Sequence, residues 1–192
     1  MKTQIPAQDS YGFKETSTET DYDFDEILAK LENDEVATVP TETVEGYAVR
    51  LNSEKALARL IKLKDRNYNS GKIFTLIPAS PEEFKTYAKI SKTAEQLIEK
   101  YIPGELTLIL PKNPAFKHPY YDHFEAIGLR IPNHPLILKL LKQTGPIILT
   151  SANPRGGTPK SLGKKPSTIL DLTGAKPKII RQGDLEIDPN NL

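Results

Sequence analysis

Apolar residues recur at the spacing of an α-helix near the start of the chain. Phe24, Ile27, Leu28 and Leu31 stand at positions i, i+3, i+4 and i+7, which places them on one face of a helix. Three later stretches also predict helices. They are residues 53–64, with Ser53 as the N-cap, residues 81–101, as one or two helices, and residues 134–145, closed by Gly145.

Short apolar runs bounded by turn residues predict strands between these helices. The predicted strands are residues 36–40, 46–51, 72–79, 106–111, 126–132, 146–151, 167–172 and 177–182. Because helices alternate with strands, the predicted fold class is α/β, with a mixed sheet. Ligands of such folds gather in the loops that leave the strand ends, so candidate chemistry is expected there.

Composition agrees with a globular chain and excludes several kinds of site. The 192 residues favour one domain, or a domain with a tail, and the hydrophobic content of 38% is ordinary. The absence of cysteine excludes disulfides, cysteine metal ligands and a cysteine nucleophile. No apolar run reaches the roughly 18 residues of a membrane span, and the N-terminus lacks the apolar segment of a secretory signal. We therefore expect a cytoplasmic protein with no membrane contact.

Charge divides the chain into an acidic start and a basic body. Residues 1–35 hold three lysines and ten acidic residues, a net charge of −7, so the remainder carries +8 within a total of +1. Residues 1–20 are polar without periodicity, which predicts a flexible acidic N-terminal arm before a domain spanning residues 21–192. The basic residues of 155–181 allow phosphate binding, but charge alone favours a solvated lysine-rich surface.

Two predicted loops carry polar groups whose function has two interpretations. Lys64 and Arg66 end the second helix, where cations complement the helix dipole but also form a phosphate clamp. Ser151 and Asn153 follow a buried strand directly, either as a turn that bonds its own backbone or as a cradle for a ligand. Neither pair is specific by itself.

An arginine at the end of an apolar strand is costly unless it is paired or lies at a rim. Arg130 is such a residue, and Arg181 is a weaker example, so both are candidate anion-binding groups. The histidines do not have a metal-binding spacing, which favours solvated or locally bonded side chains at His118, His123 and His134.

Six stretches, in order from about Ile27 to Gly183, resemble the YrdC-like family, the threonylcarbamoyl-AMP synthases. PTETVEGYAV is similar to the family's PTETVYGLG, and KDR with SGKIFTLI to its KxR motif and the following strand. The other similar stretches are PGELTLILP, IGLRIPNHPLILKLL, TSAN, and GKKPSTILDLTG with IIRQGD.

The resemblance implies a single α/β domain in which helices flank a twisted mixed sheet with a large concave basic cavity. It implies synthesis of L-threonylcarbamoyladenylate from ATP, L-threonine and bicarbonate or CO2, with release of pyrophosphate. This nucleotidyl transfer would have no certain catalytic side chain, and Mg2+ would be held mainly by the phosphates. The product would pass to the downstream tRNA threonylcarbamoyl-transferase complex for modification of tRNA.

The resemblance also implies roles for individual residues. Lys64 and Arg66 would act electrostatically. The implied threonine-binding residues are Thr41, Thr43, Thr75, Arg130 and Ser167. The implied ATP-binding residues are Lys64, Arg66, Ser70, Ser151, Asn153 and Arg181.

Several positions depart from the family pattern. Glu45 replaces an aromatic residue, Asn67 and Thr150 replace prolines, and only 13 residues separate Asn153 from Ser167, where relatives carry a longer helical insert. Glu45 is interpreted as facing solvent or pairing with a lysine or arginine, not as a catalyst.

Two other functions stay open. One is a module that binds tRNA or double-stranded RNA through the basic face, and the other is a carbamoyl-handling relative with a different acceptor. Arg130 and Ser167 favour threonine as the acceptor.

Overall fold

The computed structural model describes residues 22–66, 72–153, 157–158 and 160–192, and the predicted helices and strands occur within them. The predicted arm, Ser70 and Asn67 lie outside the described residues. The helices are α1 (Phe24–Glu32), α2 (Glu54–Leu63), α3 (Phe84–Tyr87), α4 (Lys92–Tyr101) and α5 (Pro135–Thr144). Short 3-10 turns span Pro81–Glu83, Tyr121–His123 and Pro189–Asn191.

Eight strands form one sheet. They are β1 (Ala37–Val39), β2 (Gly46–Arg50), β3 (Thr75–Ile77), β4 (Leu106–Pro111), β5 (Ala126–Leu129), β6 (Ile147–Ser151), β7 (Thr168–Asp171) and β8 (Lys178–Arg181). Their order is β1-β2-β6-β3-β5-β4-β7-β8. The β3–β5 and β4–β7 pairs are parallel and the other pairs are antiparallel. The predicted α/β class with a mixed sheet is therefore confirmed.

The first two helices begin at the residues that the sequence indicates. Asp23 caps α1 by accepting bonds from the amides of Asp25 and Glu26, and Ser53 caps α2 by accepting from the amide of Ala56. Helix α1 buries Ile27 and Leu31, two members of the predicted stripe. Within the described stretches, no helix has the length and apolar character needed to cross a membrane.

Helix α2 differs from the predicted pattern at its last residue. Leu63 is 49% exposed, although its apolar side chain suggests the buried face. The buried face instead passes through Leu57, Leu60 and Lys64, which stand at i, i+3 and i+7. A lysine therefore occupies the position on this face where the last turn meets the protein interior.

Aromatic side chains fill the space beside β3. Phe74 stacks on Tyr120 with ring centroids 5.1 Å apart, and the Tyr121 hydroxyl donates to the Phe74 carbonyl at 3.2 Å. Burial raises the pKa of Tyr121 well above its ordinary value. The His118 ring lies 2.9 Å from the Leu51 carbonyl oxygen through Nε2, so this histidine is a locally bonded core residue. No group of three potential metal-ligating side chains occurs in the described part of the chain.

Gly183 allows the chain after β8 to approach the segment before β7 closely. A β-carbon at this position would lie 2.5 Å from the Pro166 carbonyl oxygen and 2.8 Å from the Thr168 amide nitrogen. Both neighbours are backbone atoms, which cannot move aside as a flexible side chain would. The Gly183 amide itself donates to the Thr168 hydroxyl at 3.0 Å.

The cap of α4 gives a test of the fold. Ser91 accepts a bond from the Ala94 amide at 3.2 Å, so Ser91→Ala should lower the free energy of unfolding by about 1 kcal/mol in urea titrations. Lys92→Ala, a change at the adjacent exposed position, is the matched control and should change stability by less than about 0.5 kcal/mol. Equal effects of the two substitutions would contradict the capping role.

Candidate functional site

A cavity of about 150 Å3 opens where several strands of the sheet begin or end. Three arginines line it, Arg66, Arg130 and Arg181. Its lining hydroxyl groups belong to Thr41, Thr75, Thr107, Thr150, Ser151 and Ser167. Because the described lining contains one carboxylate, that of Glu45, positive charge predominates and the cavity suits an anionic ligand.

Arg130 is held at the inner side of the cavity by partners that fix its orientation. Its guanidinium pairs with Glu42 at 3.0 Å, and the two side chains are only 7% and 14% exposed. It also donates to the Gly104 carbonyl at 3.0 Å and to the Thr43 hydroxyl at 3.2 Å. The sequence predicts that Arg130 needs either a charged partner or a position at a rim. The structure gives it a partner, the Glu42 carboxylate.

Glu42 is a site residue that the sequence analysis did not identify. One of its oxygens, Oε1, accepts from both Arg130 and the Asn133 amide, at 3.0 Å in each case. Its other oxygen, Oε2, is buried and has no hydrogen-bond partner among the residues that the structure describes. The cost of burying Arg130 signals that an acidic partner exists, but it does not indicate which of the chain's acids fills the role.

Arg181 lines the same cavity and lies against Ser167. Its guanidinium donates to the Ser167 carbonyl at 2.9 Å and to the Ser167 hydroxyl at 3.1 Å. That hydroxyl also lies 2.9 Å from the Thr107 hydroxyl. Burial of the guanidinium, followed by the positive charge of Arg130, lowers the pKa of Arg181. Two cations are therefore close enough to repel each other, an arrangement that an anion between them would stabilise.

Arg66 forms the third cationic wall through a stacking contact. Its guanidinium lies 4.4 Å from the centre of the Phe74 ring, which is a cation–π geometry. Burial lowers the pKa of Arg66, and this effect outweighs the opposing influence of Tyr120. The aromatic cluster beside β3 thus supports a charged group of the cavity.

Two predicted site residues, Lys64 and Asn153, contact Ser151 at the end of β6. The ammonium of Lys64 donates to the Ser151 carbonyl at 2.9 Å and to the Asn153 carbonyl at 2.5 Å. The Ser151 hydroxyl donates to Asn153 Oδ1 at 2.5 Å. The Lys64 side chain therefore joins two motifs that are distant in the sequence, KDR and TSAN.

The segment from Thr41 to Glu45 folds back on itself. The Thr41 hydroxyl donates to the Val44 carbonyl at 2.7 Å and lies 3.0 Å from the Thr43 hydroxyl. Glu45 pairs with Lys160 at 2.7 Å and also accepts a hydrogen bond from Tyr22. Of the two predicted settings for Glu45, the ion pair occurs, and its side chain is only 14% exposed.

The pKa of Glu45 reflects these contacts. Partial burial acts to raise it, but the hydrogen bonds from Lys160 and Tyr22 and the charge of Lys160 together hold the pKa below its ordinary value. The carboxylate is therefore ionised and occupied by partners at neutral pH, which disfavours a role as a general base.

The structure brings most of the predicted site residues to one place. Seven line the cavity, and they are Thr41, Arg66, Thr75, Arg130, Ser151, Ser167 and Arg181. Thr43 contacts Arg130 from behind, whereas Lys64 and Asn153 flank Ser151. Thr107 was missed, although a polar residue within the apolar strand 106–111 is a visible signal.

A second, wider cleft of about 470 Å3 adjoins the cavity through Val44 and Pro166. Lys164 and Lys165 line it, together with Asp184. Lys164 pairs with Glu105, and the Lys165 ammonium pairs with Asp184 at 3.7 Å. These partners make the cleft less positive than its lysines suggest.

The fold is an α/β domain whose strand ends form a cavity lined by three arginines. The Sua5/YciO/YrdC family, described as "Telomere recombination", matches residues 29–162, which is more than half of the chain. The chain belongs to this family, and the predicted YrdC-like assignment is confirmed.

Curated relatives cover most of this chain. A threonylcarbamoyl-AMP synthase of Klebsiella pneumoniae is 35% identical over 136 residues, which are 69% of this chain and 70% of that protein. A putative threonylcarbamoyl-AMP synthase of Methanocaldococcus jannaschii is 29% identical over 177 residues, 81% of this chain and 83% of that protein. The names of these relatives confirm the predicted enzyme class, a nucleotidyl-type transferase.

Solved structures share the fold. Sua5 of P. abyssi, complexed with L-threonine, has a TM-score of 0.71 and 28% identity over 84% of this chain. The match covers 54% of that chain, so this protein spans about half the length of that relative. YciO of E. coli, at 21% identity and a TM-score of 0.72, covers 86% of this chain and supports the fold.

The Arg130–Glu42 pair predicts a large loss of stability when one partner is removed. Arg130→Met should lower the free energy of unfolding by about 3–5 kcal/mol, because it leaves the Glu42 carboxylate buried without its countercharge. Adding Glu42→Gln should recover much of that loss in urea titrations. A double variant as unstable as the sum of the two single variants would contradict the pairing.

Glu45 predicts a pH dependence that Lys160 controls. Because the folded-state pKa is lowered, Glu45 contributes stability above its ordinary value of 4.5, and this contribution is lost as pH falls through the folded pKa. Lys160→Met should therefore be less stable than the wild type at pH 7, and the difference should shrink as the pH falls below 4.5. Urea unfolding of both proteins across this range measures it, and a constant difference would contradict the assignment.

Proposed function

We propose that this protein synthesises L-threonylcarbamoyladenylate from ATP, L-threonine and bicarbonate or CO2, and releases pyrophosphate. The observation that carries this proposal is the convergence of three guanidinium groups and six hydroxyl groups on one cavity. The relatives' names and the threonine complex of P. abyssi Sua5 support the choice of product and of amino acid.

The proposed amino-acid subsite surrounds Arg130. Its guanidinium is already oriented by Glu42 and Gly104, so a threonine carboxylate would meet a group that needs little reorganisation. The hydroxyls of Thr75 and Ser167 lie in the same cavity and would complete the polar contacts. Thr41 and Thr43 would act mainly by shaping the loop, since both hydroxyls already have partners in it.

The proposed nucleotide subsite uses Arg66, Ser151 and Arg181. An arginine offers a planar fork that suits phosphate oxygens, and Arg66 keeps its position by stacking on Phe74. Arg66 and Arg181 would stabilise the charge that develops during transfer of the adenylyl group. Ser70, which the family resemblance also implies, lies outside the described residues.

The proposed chemistry needs no protein nucleophile. The threonine amine adds to CO2 and loses a proton, which gives an N-carboxylate. An oxygen of this N-carboxylate then attacks the α-phosphorus of ATP. The bond from the α-phosphorus to the oxygen that bridges it to the β-phosphate breaks, and pyrophosphate leaves. Holding both substrates in line and neutralising phosphate charge are tasks that arginines and hydroxyls can perform.

Mg2+ fits this site only as a companion of the phosphates. Glu45 is the single carboxylate in the described lining, and it is paired with Lys160. A bound Mg2+ would supply charge neutralisation on the phosphate oxygens, with its ligands coming from the triphosphate and water. The reaction would take place in the cytoplasm, and the product would pass to the tRNA-modifying enzymes.

An assay of pyrophosphate release tests the proposal. Release should require ATP, threonine and bicarbonate together, and Arg66→Ala or Ser151→Ala should reduce its rate at least about a hundredfold, because each removes a proposed phosphate contact. Lys62→Ala, an exposed cation on the same helix as the Lys64 cap, is the matched control and should keep the wild-type rate.

Two outcomes would overturn the proposal. Wild-type protein that binds neither ATP nor threonine in calorimetry would exclude the enzyme. Salt-sensitive binding of double-stranded RNA without any pyrophosphate release would favour the RNA-binding module instead.

A further inference from the structure

Lys64 is buried in a way that lysines seldom are. Its residue exposure is 5%, and it continues the buried face of α2 after Leu57 and Leu60. Lysines are almost never this buried unless their ammonium has partners. The partners of Lys64 therefore indicate what the residue does.

The hydrogen bonds of Lys64 use its whole donor capacity. An ammonium group has three N–H donors. The Nζ atom lies 2.9 Å from the Ser151 carbonyl oxygen, 2.5 Å from the Asn153 carbonyl oxygen and 3.3 Å from Asn153 Oδ1. Three acceptors for three donors leave none to bind a phosphate.

The electrostatic setting of Lys64 agrees with this count. Its three acceptors are carbonyl or amide oxygens, and none is a carboxylate. Burial, followed by the charges of Arg66 and Lys72, lowers its pKa. A cation in such a setting is stabilised by the dipoles of the loop. Removing it would take a charged donor away from both carbonyl groups, although the Ser151 carbonyl also accepts from the Asn153 amide at 3.0 Å.

Arg66, only two residues later, has a different environment. Arg66 lines the cavity, whereas Lys64 is not one of the described residues that line it. A guanidinium has five N–H donors, and the Arg66 group stacks on Phe74 and donates to the Lys72 carbonyl at a long 3.4 Å. In the KDR motif, Lys64 therefore contacts loop carbonyls, whereas Arg66 stacks on Phe74 and lines the cavity.

The segment that Lys64 holds is the strand-end loop, defined as residues 151–153. The Ala152 amide donates to the Glu45 carbonyl at 2.8 Å, and the Ser151 hydroxyl donates to Asn153 Oδ1 at 2.5 Å. Because Lys64 engages two of the three loop carbonyls, those of Ser151 and Asn153, it holds the backbone while the Ser151 side chain lines the cavity.

We propose that Lys64 is a positioning residue that anchors the strand-end loop from behind, and not a ligand of the ATP phosphates. Arg66 then carries the phosphate contact of this pair. The assignment of the loop to nucleotide binding rests on the proposed function, whereas the anchoring itself does not.

Hydrogen exchange of the unliganded protein tests the anchor without any substrate. In Lys64→Met, the amides of Ala152 and Asn153 should exchange at least about tenfold faster than in the wild type, because charge-assisted bonds to the loop are lost. Lys64→Gln retains two N–H donors without charge and should restore part of the protection. Lys62→Met is the matched control and should leave these amides unchanged.

Calorimetric titration with ATP over a range of salt concentrations tests the division of roles. A residue that contacts phosphate contributes to the salt dependence of ATP affinity, so Arg66→Met should weaken that dependence. Lys64→Met should lower the affinity and retain the wild-type salt dependence, and Lys64→Gln should recover part of the affinity.

The proposal is overturned if Lys64→Met and Lys64→Gln weaken the salt dependence as much as Arg66→Met does, or if loop exchange stays at the wild-type rate. If Lys64→Met does not fold, Lys64→Gln provides the same two comparisons. Wild-type protein that binds no ATP would defeat the proposed function, and the exchange rates would still decide whether Lys64 anchors the loop.

Discussion

The burial of positive charge beside an apolar sheet is the constraint on which the cavity depends, and the Arg130–Glu42 pair is its clearest case. A guanidinium that is 7% exposed keeps its place only because a carboxylate and a carbonyl oxygen meet it from defined directions. Those partners orient the group, so its remaining donors face a fixed direction before any ligand arrives. The partners that offset the desolvation of Arg130 also fix its orientation, so the site is preorganised for a ligand.

The other two arginines are stabilised by different means, which divides the cavity into distinct walls. Arg66 depends on the face of Phe74, whereas Arg181 depends on the carbonyl and hydroxyl of Ser167. Neither uses a carboxylate in these contacts. In these contacts their charge is therefore not offset by an acidic partner, unlike that of Arg130.

The sequence predicted the elements of the fold well because caps and periodicities are local. Ser53 and Gly145 mark the ends of helices by chemistry that a few neighbouring residues determine. Most candidate site residues were also predicted, since polar groups that follow apolar strands mark strand ends. What the sequence did not predict are pairings across long separations. Glu42 and Arg130 are 88 positions apart, and the identity of the acid depends on how β1, β2 and β5 are arranged.

The role of Lys64 shows the same limit. Its spacing from Leu57 and Leu60 placed it on the buried face, a signal that was present in the pattern. Its acceptors, however, lie in a loop almost 90 residues later in the chain. Residue type and motif suggested a phosphate ligand, and only the count of donors and acceptors in three dimensions favours another role.

Gly183 has a consequence that reaches beyond its own turn. It is the absence of a side chain there that lets the backbone after β8 touch the backbone at Pro166 and Thr168. Arg181 lies two residues before Gly183, and Ser167 lies between Pro166 and Thr168, so this close backbone approach keeps the Arg181 guanidinium within hydrogen-bond distance of the Ser167 hydroxyl. A side chain at position 183 would push these two backbone segments apart, and this would lengthen the contact between the Arg181 guanidinium and the Ser167 hydroxyl.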